Sequence, residues 1–115
     1  MFGSKTSKIN DIVPEKSYEL IMENKDNPDF VILDVRTPGE FSESHLEGAE
    51  LLNYQSPDFK DKVQELDKNK TYLVYCRSGM RSAAGADLMV KLGFENLCNL
   101  VGGIMGWESC GLPVK

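Results

Sequence analysis

The sequence predicts an α/β domain with a mainly parallel sheet and helices on both faces. Residues 30–35 form a continuous, partly β-branched apolar run, which is typical of a central parallel strand covered on both sides. Residues 71–75 form a second strand-like run. Short strands alternate with segments of helical periodicity, and this alternation favours parallel strands joined by right-handed helical crossovers.

Two elements are predicted before the central strand. A short strand should occupy residues 9–12, and a helix should begin at Pro14, because proline suits the first helical turn. Tyr18, Ile21 and Met22 would share one face of this helix.

A capping-box pattern follows the central strand. Thr37 is expected at the N-cap, with Pro38 at the first helical position and Glu40 where the box needs it. The pattern predicts a short helix to about Ser44, and a modest third strand is expected near residues 50–53.

The second half of the chain continues the alternation. A helix opened by residues 56–58 should bury Phe59, Val63 and Leu66, which are spaced i, i+4 and i+7. The strand at residues 71–75 follows.

Three further elements are predicted near the C-terminus. A helix should align Ala84, Leu88 and Leu92 and end at a Gly93 cap, with Phe94 packing just beyond. A last strand at residues 96–100 and a final helical turn at residues 104–107, which includes a core Trp107, should complete the fold.

Length and charge limit the classes of function. A chain of 115 residues fits one domain, which we place at residues 9–115 after a loose N-terminal segment, residues 1–8. The net charge of −5, with no basic block, argues against a nucleic-acid partner. The sequence has no apolar run long enough for a membrane span and no secretory signal, so we expect a cytoplasmic protein without a membrane partner.

The cysteines do not indicate a metal site. Cys76, Cys98 and Cys110 show no metal-ligand spacing, so we expect neither a zinc site nor a structural disulfide. Cys98 lies inside a strand pattern and is expected in the core, whereas Cys110 lies near the C-terminus and could be exposed. A resolving role for Cys110 is the weaker interpretation.

Cys76 follows a strand directly, and a helix is predicted to begin six residues later. Such a loop directs backbone N–H groups inward, and the helix N-terminus adds about half a positive charge. A thiol in this position can have its pKa lowered to between about 3.5 and 7.5. We therefore predict that Cys76 is a nucleophilic thiolate at neutral pH.

The residues after Cys76 suit a small anion. Arg77 should attract substrate from the rim, and Arg81 could either clamp an oxyanion or tie the loop to a carboxylate such as Asp34. Four more residues complete the expected substrate-binding loop: Ser78, Gly79, Met80 and Ser82. Ser78 and Ser82 could donate to the sulfur or cap the helix, and capping is the preferred interpretation for Ser82. Gly79 is expected because the tight loop needs a backbone that a side chain would obstruct.

The segment Cys76-Arg77-Ser78-Gly79-Met80-Arg81-Ser82 resembles the active-site loop of the rhodanese family of sulfurtransferases. Other blocks resemble this family in the same order, at residues 33–36, 40–41, 45–49, 93–94, 100–103, 107 and 111–114. The chain is similar to the single-domain thiosulfate sulfurtransferases. That resemblance implies a five-stranded rhodanese-like domain that needs no metal or organic cofactor.

The resemblance also favours one reaction over its alternatives. Four residues separate Cys76 from Arg81, whereas the related phosphatases place five residues there to admit phosphate. The shorter loop implies transfer of sulfane sulfur from a small anionic donor, through a Cys76 persulfide, to cyanide, a thiol or a protein acceptor. A phosphatase or arsenate reductase on the same fold, and a non-catalytic binding module, remain as alternatives.

Supporting residues are expected at the end of the central strand. Arg36 and Glu40 are interpreted as an ion pair that braces the adjoining loop, and Asp34 as a possible partner of Arg81. His45, the only histidine, is interpreted as a structural hydrogen-bonding residue and not as the partner of a Cys-His pair.

Overall fold

The computed structural model describes residues 9–115, which form one five-stranded sheet and five helices. The strands are β1 (Ile9–Ile12), β2 (Phe30–Asp34), β3 (Glu50–Leu51), β4 (Thr71–Tyr75) and β5 (Leu97–Leu100). The helices are α1 (Pro14–Glu23), α2 (Pro38–Glu43), α3 (Phe59–Gln64), α4 (Met80–Lys91) and α5 (Gly103–Ser109). The prediction for residues 1–8 lies outside the described residues, and the domain boundary at residue 9 stays a prediction.

The strands lie in the order β1-β5-β4-β2-β3, and every pair is parallel. This confirms the predicted α/β fold, and the sheet is parallel throughout the described residues. Within residues 9–115, no helix is both long and apolar enough to cross a membrane.

Alternation along the strands gives the sheet two apolar faces. One face packs against α3 and α4 and contains Leu33, Tyr72, Val74 and Leu97 together with Phe59 from α3. The opposite face packs against α1 and α5. Its buried side chains include Ile32, Leu73, Tyr75, Leu100 and Trp107, so the prediction of a core Trp107 is confirmed.

Helix α4 differs from its prediction in both its start and its inward face. It begins at Met80, two residues before Ser82. Its buried residues are Ser82, Gly85, Ala86 and Met89. The expected line of Ala84, Leu88 and Leu92 is only half-buried, with Leu88 and Leu92 packed at the margin of the core.

Candidate active site

Cys76 follows the last residue of β4 and lies at the carboxyl edge of the sheet, where parallel α/β folds place their ligands. Strand alternation directs it to the face covered by α4, with Val74. The residue is only 1% exposed, although Arg77 and Ser78 beside it are exposed. The sulfur is therefore at the base of a loop whose rim is open to solvent.

Hydrogen bonds converge on the Cys76 sulfur. The Gly79 N–H donates to Sγ at 3.1 Å, and the Ser82 Oγ lies 3.4 Å from it. Burial raises the pKa of this thiol, but hydrogen bonds from the Ser82 side chain and from the N–H groups of Ser82, Gly79 and Ser78 outweigh burial, so the pKa is lowered. At Cys98, by contrast, burial raises the pKa of the thiol.

The start of α5 holds the cysteine loop from the other side. The Ile104 N–H donates to the Cys76 carbonyl at 2.9 Å, and the Met105 N–H donates to the Arg77 carbonyl at 3.0 Å. Gly103 precedes them at φ +61°, and a Cβ there would collide with the backbone of Cys76 and Arg77. The two carbonyls are thus engaged by α5 while the later N–H groups of the loop face the sulfur.

Gly79 is needed for its backbone conformation. It is the N-cap of α4 at φ +117°, a region that L side chains rarely adopt. This agrees with the expectation that the tight loop needs a backbone that a side chain would obstruct. The restraint is the positive φ and not a lack of space, because a Cβ would meet nothing closer than Gly102 N at 3.7 Å. The turn at Gly79 is what allows its own N–H to reach the sulfur.

Ser82 does not cap α4, contrary to the prediction. The helix has already begun at Met80, and Gly79 holds the N-cap without a side-chain bond. The fully buried Ser82 hydroxyl lies between the sulfur, the Gly79 carbonyl at 3.2 Å and the Asn99 side chain at 2.7 Å.

Arg81 binds a carboxylate, but not the predicted one. Its Nη1 and Nη2 donate to the two oxygens of Glu40 at 2.8 and 3.0 Å. The predicted ion pair between Arg36 and Glu40 is wrong, because Glu40 at the start of α2 is turned toward α4. The Thr37 capping box, which is confirmed, fixes the Glu40 side chain through Thr37 N–H at 3.1 Å.

Asp34 is the true partner of Arg36. The two residues are two positions apart at the end of β2, and the guanidinium of Arg36 donates to both Asp34 oxygens at 2.7 to 3.1 Å. Tyr75 OH also donates to Asp34 at 2.7 Å and accepts from the Leu46 N–H at 3.1 Å. This buried network joins β2, β4 and the segment before β3.

The rim of the loop carries an exposed cation and exposed methionines. Arg77 is exposed, and its Nε contacts Met105 Sδ at 3.4 Å. Met80 is 82% exposed, so its side chain does not line the base of the site.

The remaining predicted polar groups lie away from the sulfur. His45 stacks on Phe41 with ring centroids 3.9 Å apart, and its Nδ1 lies 2.9 Å from the Phe41 carbonyl, as expected for a structural histidine. Cys98 is buried and Cys110 exposed, as predicted. Within the described range, no three His, Cys, Asp or Glu side chains form a group that could hold a metal ion.

Asn99 is a site residue that sequence reasoning missed. It lies in β5, is 7% exposed, and contacts Ser82 and Asp11 through its amide. The available signal was a polar residue inside a short, otherwise apolar strand that ends near the predicted loop.

Comparison with known proteins agrees with this geometry. A family model for the rhodanese-like domain matches residues 17–110. The chain belongs to the rhodanese family. A thiosulfate sulfurtransferase, GlpE, from Actinobacillus succinogenes is 31% identical over 106 residues, which cover 91% of this chain and 89% of the relative.

Solved structures of other proteins have the same fold as this rhodanese domain. A rhodanese-related protein from Thermoplasma volcanium superposes with a TM-score of 0.78 at 28% identity, covering 92% of this chain and 97% of the other. A protein from Rhodopseudomonas palustris described as a possible tyrosine phosphatase has a TM-score of 0.76 at 26% identity, covering 93% and 85%. The rhodanese-like fold is therefore shown, and relatives named as sulfurtransferases support sulfur transfer in general.

Proposed function

We propose that this rhodanese domain transfers sulfane sulfur from thiosulfate or a similar small anion, through a persulfide on Cys76. The observation that carries the proposal is the convergence of the loop's N–H groups, with Gly79 N–H 3.1 Å from Sγ, on a sulfur whose pKa is lowered. A lowered pKa enlarges the fraction of thiolate, which is the nucleophilic form of cysteine.

The first half-reaction forms the persulfide. The Cys76 thiolate attacks the outer sulfur of thiosulfate, the S–S bond of the donor breaks, and sulfite leaves with the electron pair. The product is Cys76–S–S⁻, so charge is conserved. The N–H groups of Ser78, Gly79 and Ser82 stabilise the anionic sulfur, as preorganised donors do in an oxyanion hole.

The second half-reaction empties the site. An acceptor nucleophile, either cyanide or a thiolate on a small molecule or protein, attacks the outer sulfur of the persulfide. Thiocyanate or a new persulfide leaves, and the Cys76 thiolate is restored. No general base is needed, because the thiolate is maintained by the loop, and His45 lies on another segment.

The surrounding residues have different proposed roles. Arg77 attracts the anionic donor to the rim, and Arg81 with Glu40 fixes the loop against α2. Ser78, Gly79 and Ser82 supply donors to the sulfur, whereas Met80 contributes only its position at the helix start. Asp34 and Arg36 support the site by bracing the end of β2.

Size supports sulfur transfer over phosphate hydrolysis. Cys76 is 1% exposed under a loop in which four residues separate it from Arg81, and the Arg81 guanidinium is bound by the Glu40 carboxylate. A phosphate ester would need a wider loop around the cysteine, and it would need Arg81 free of Glu40 to bind the phosphate oxygens. The rate on thiosulfate with cyanide should therefore exceed the rate on an aryl phosphate in the same preparation.

The controls separate this proposal from its rivals. Cys76→Ser should abolish thiocyanate formation, while Cys98→Ala, a change in the core away from the loop, should retain it. Faster turnover of the aryl phosphate would favour the phosphatase alternative, and thiocyanate formation that survives Cys76→Ser would overturn the assignment of the nucleophile.

The cytoplasmic location stays a prediction from the sequence.

A further inference from the structure

A chain of hydrogen bonds, buried near the sulfur and partly exposed at its far end, runs from Cys76 Sγ to the edge of the sheet. Ser82 Oγ lies 3.4 Å from Cys76 Sγ and donates to Asn99 Oδ1 at 2.7 Å. Asn99 Nδ2 in turn donates to Asp11 Oδ1 at 3.2 Å. The parallel register pairs Asp11 with Asn99 on neighbouring strands, so both side chains lie on the face that carries Cys76.

The Ser82 hydroxyl has one proton and three acceptors in range. They are Asn99 Oδ1 at 2.7 Å, the Gly79 carbonyl at 3.2 Å and the sulfur at 3.4 Å. When the proton points to Asn99, the hydroxyl can only accept from the sulfur, which suits a protonated thiol. A thiolate gains from Ser82 only if the proton leaves Asn99.

Asp11 fixes the direction of the Asn99 amide. With Nδ2 toward the Asp11 carboxylate, Oδ1 must face Ser82. The reversed amide would set Oδ1 against a carboxylate oxygen and Nδ2 against the hydroxyl, which would then be free to donate to the sulfur. The exposed carboxylate of Asp11 on the edge strand β1 is therefore linked to the sulfur through two intervening side chains.

We propose that Asn99, oriented by Asp11, is a positioning residue that competes with Cys76 for the proton of the Ser82 hydroxyl. This competition restrains ionisation of the sulfur. A sulfur of higher basicity is also a stronger nucleophile once it is ionised. The inference rests on the proposed function only in taking Cys76 as the nucleophile.

Other charges near the sulfur are already engaged or exposed. Arg81 of α4 is paired with Glu40 of α2, and Arg36 is paired with Asp34 at the end of β2. Arg77 lies at the exposed rim, and neither β5 nor the first five residues of α5 contributes a charged side chain. Asp11 is thus the carboxylate joined to the sulfur by the Ser82–Asn99 chain.

The test is the pH dependence of the rate at which iodoacetamide alkylates Cys76. The reaction is carried out on the full-length chain, and the alkylated Cys76 peptide is then quantified by mass spectrometry after digestion. Asp11→Asn should lower the midpoint by about half a pH unit, which is about a threefold larger fraction of thiolate at a pH below the midpoint. Asn99→Leu should shift the midpoint in the same direction. Asp29→Asn, which removes the same charge before the start of β2, should leave it unchanged.

A double variant separates the hydroxyl from a direct effect of charge. In a Ser82→Ala background, Asp11→Asn should lose more than half of its effect. An unchanged or raised midpoint in Asp11→Asn, or an equal shift with and without the hydroxyl, would overturn the proposal. Asp11 is exposed at the sheet edge, so this pair stays informative even if Asn99→Leu fails to fold. Alkylation needs no sulfur donor, so the result is independent of whether sulfur transfer is the correct activity.

Discussion

Glu40 of α2 and Arg81 of α4 are joined by two hydrogen bonds, of 2.8 and 3.0 Å, between their carboxylate and guanidinium groups. The pair connects the first turn of α2 to the first turn of α4, although the two residues are 41 positions apart in the chain. The Glu40 carboxylate also neutralises Arg81, the residue for which the sequence suggested a role in clamping an oxyanion. The site therefore relies on backbone N–H groups and a rim arginine for its positive potential.

Replacing Glu40 should reduce stability in a pH-dependent way. Hydrogen bonds, mainly from Arg81 and in addition from Thr37, lower the pKa of Glu40 from 4.5 to about 2. The ionised carboxylate therefore stabilises the fold fully above about pH 4.5, and this contribution is lost as the pH falls toward 2. Glu40→Gln, which keeps the capping box, should lower the free energy of unfolding at pH 7 by about 1 kcal/mol in urea denaturation.

The matched control is Glu43→Gln, on the exposed side of the same helix. It should change stability little. If the difference between wild type and Glu40→Gln did not narrow between pH 4.5 and 3, the ion pair would not be its source.

Arg77 should matter for capture of the donor and little for folding. Its guanidinium is exposed at the rim, where it contacts Met105 rather than a carboxylate. Arg77→Gln should raise KM for thiosulfate several-fold with little change in kcat, because attraction to an exposed charge acts mainly on encounter. Steady-state kinetics at low salt and at 0.5 M salt would measure the effect, which should shrink as screening increases. An equal loss for Lys91→Gln, at the far end of α4, would contradict a local role.

Gly103 should tolerate no side chain. Its φ is +61°, and a Cβ would collide with the Cys76 and Arg77 backbone. Gly103→Ala should therefore cost about 2 kcal/mol or more of stability and also displace the cysteine loop, lowering activity. Gly39→Ala is the control, since a Cβ there meets nothing within 4 Å. Urea denaturation would measure the loss of stability, and steady-state turnover would measure the loss of activity. A Gly103→Ala variant that is fully active and as stable as the wild type would show that the backbone relieves the collision at little cost.

Tyr75 should contribute to stability through its hydroxyl. The hydroxyl donates to the buried Asp34 carboxylate and accepts from the Leu46 N–H. The pKa of Tyr75 is raised, mainly by burial and in addition by the hydrogen bond to Asp34. Tyr75→Phe leaves Asp34 without one donor and should cost about 1 to 3 kcal/mol in denaturation. Tyr72→Phe loses a partly buried bond to the carbonyl of the exposed residue Asp67 and should cost less. The reverse order would contradict the importance of the Asp34 network.

Much of the fold could be predicted from sequence because its signals are local. The apolar run of β2 and the Thr37 capping box determine neighbouring structure by propensity and by hydrogen bonds within four residues. The start of α4 was predicted two residues late because a glycine at positive φ can turn the chain directly into a helix without a side-chain cap. Nothing in the loop composition separates that turn from a serine cap.

The partners of charged residues could not be predicted in the same way. Asp34, Arg36, Glu40 and Arg81 allow more than one pairing, and the choice depends on which face each backbone segment presents. Asp34 and Arg36 are close neighbours across Val35, whereas Glu40 at the third position of α2 faces α4. Asn99 was missed for the same reason, since its role depends on the register that sets Asp11 beside it.

Intact mass after exposure to thiosulfate tests the central claim most directly. The account predicts that the wild-type chain gains one sulfur, about 32 Da, that cyanide removes it, and that Cys110→Ser still gains it while Cys76→Ser does not. No added sulfur on the wild-type chain, or the same addition on Cys76→Ser, would contradict the account.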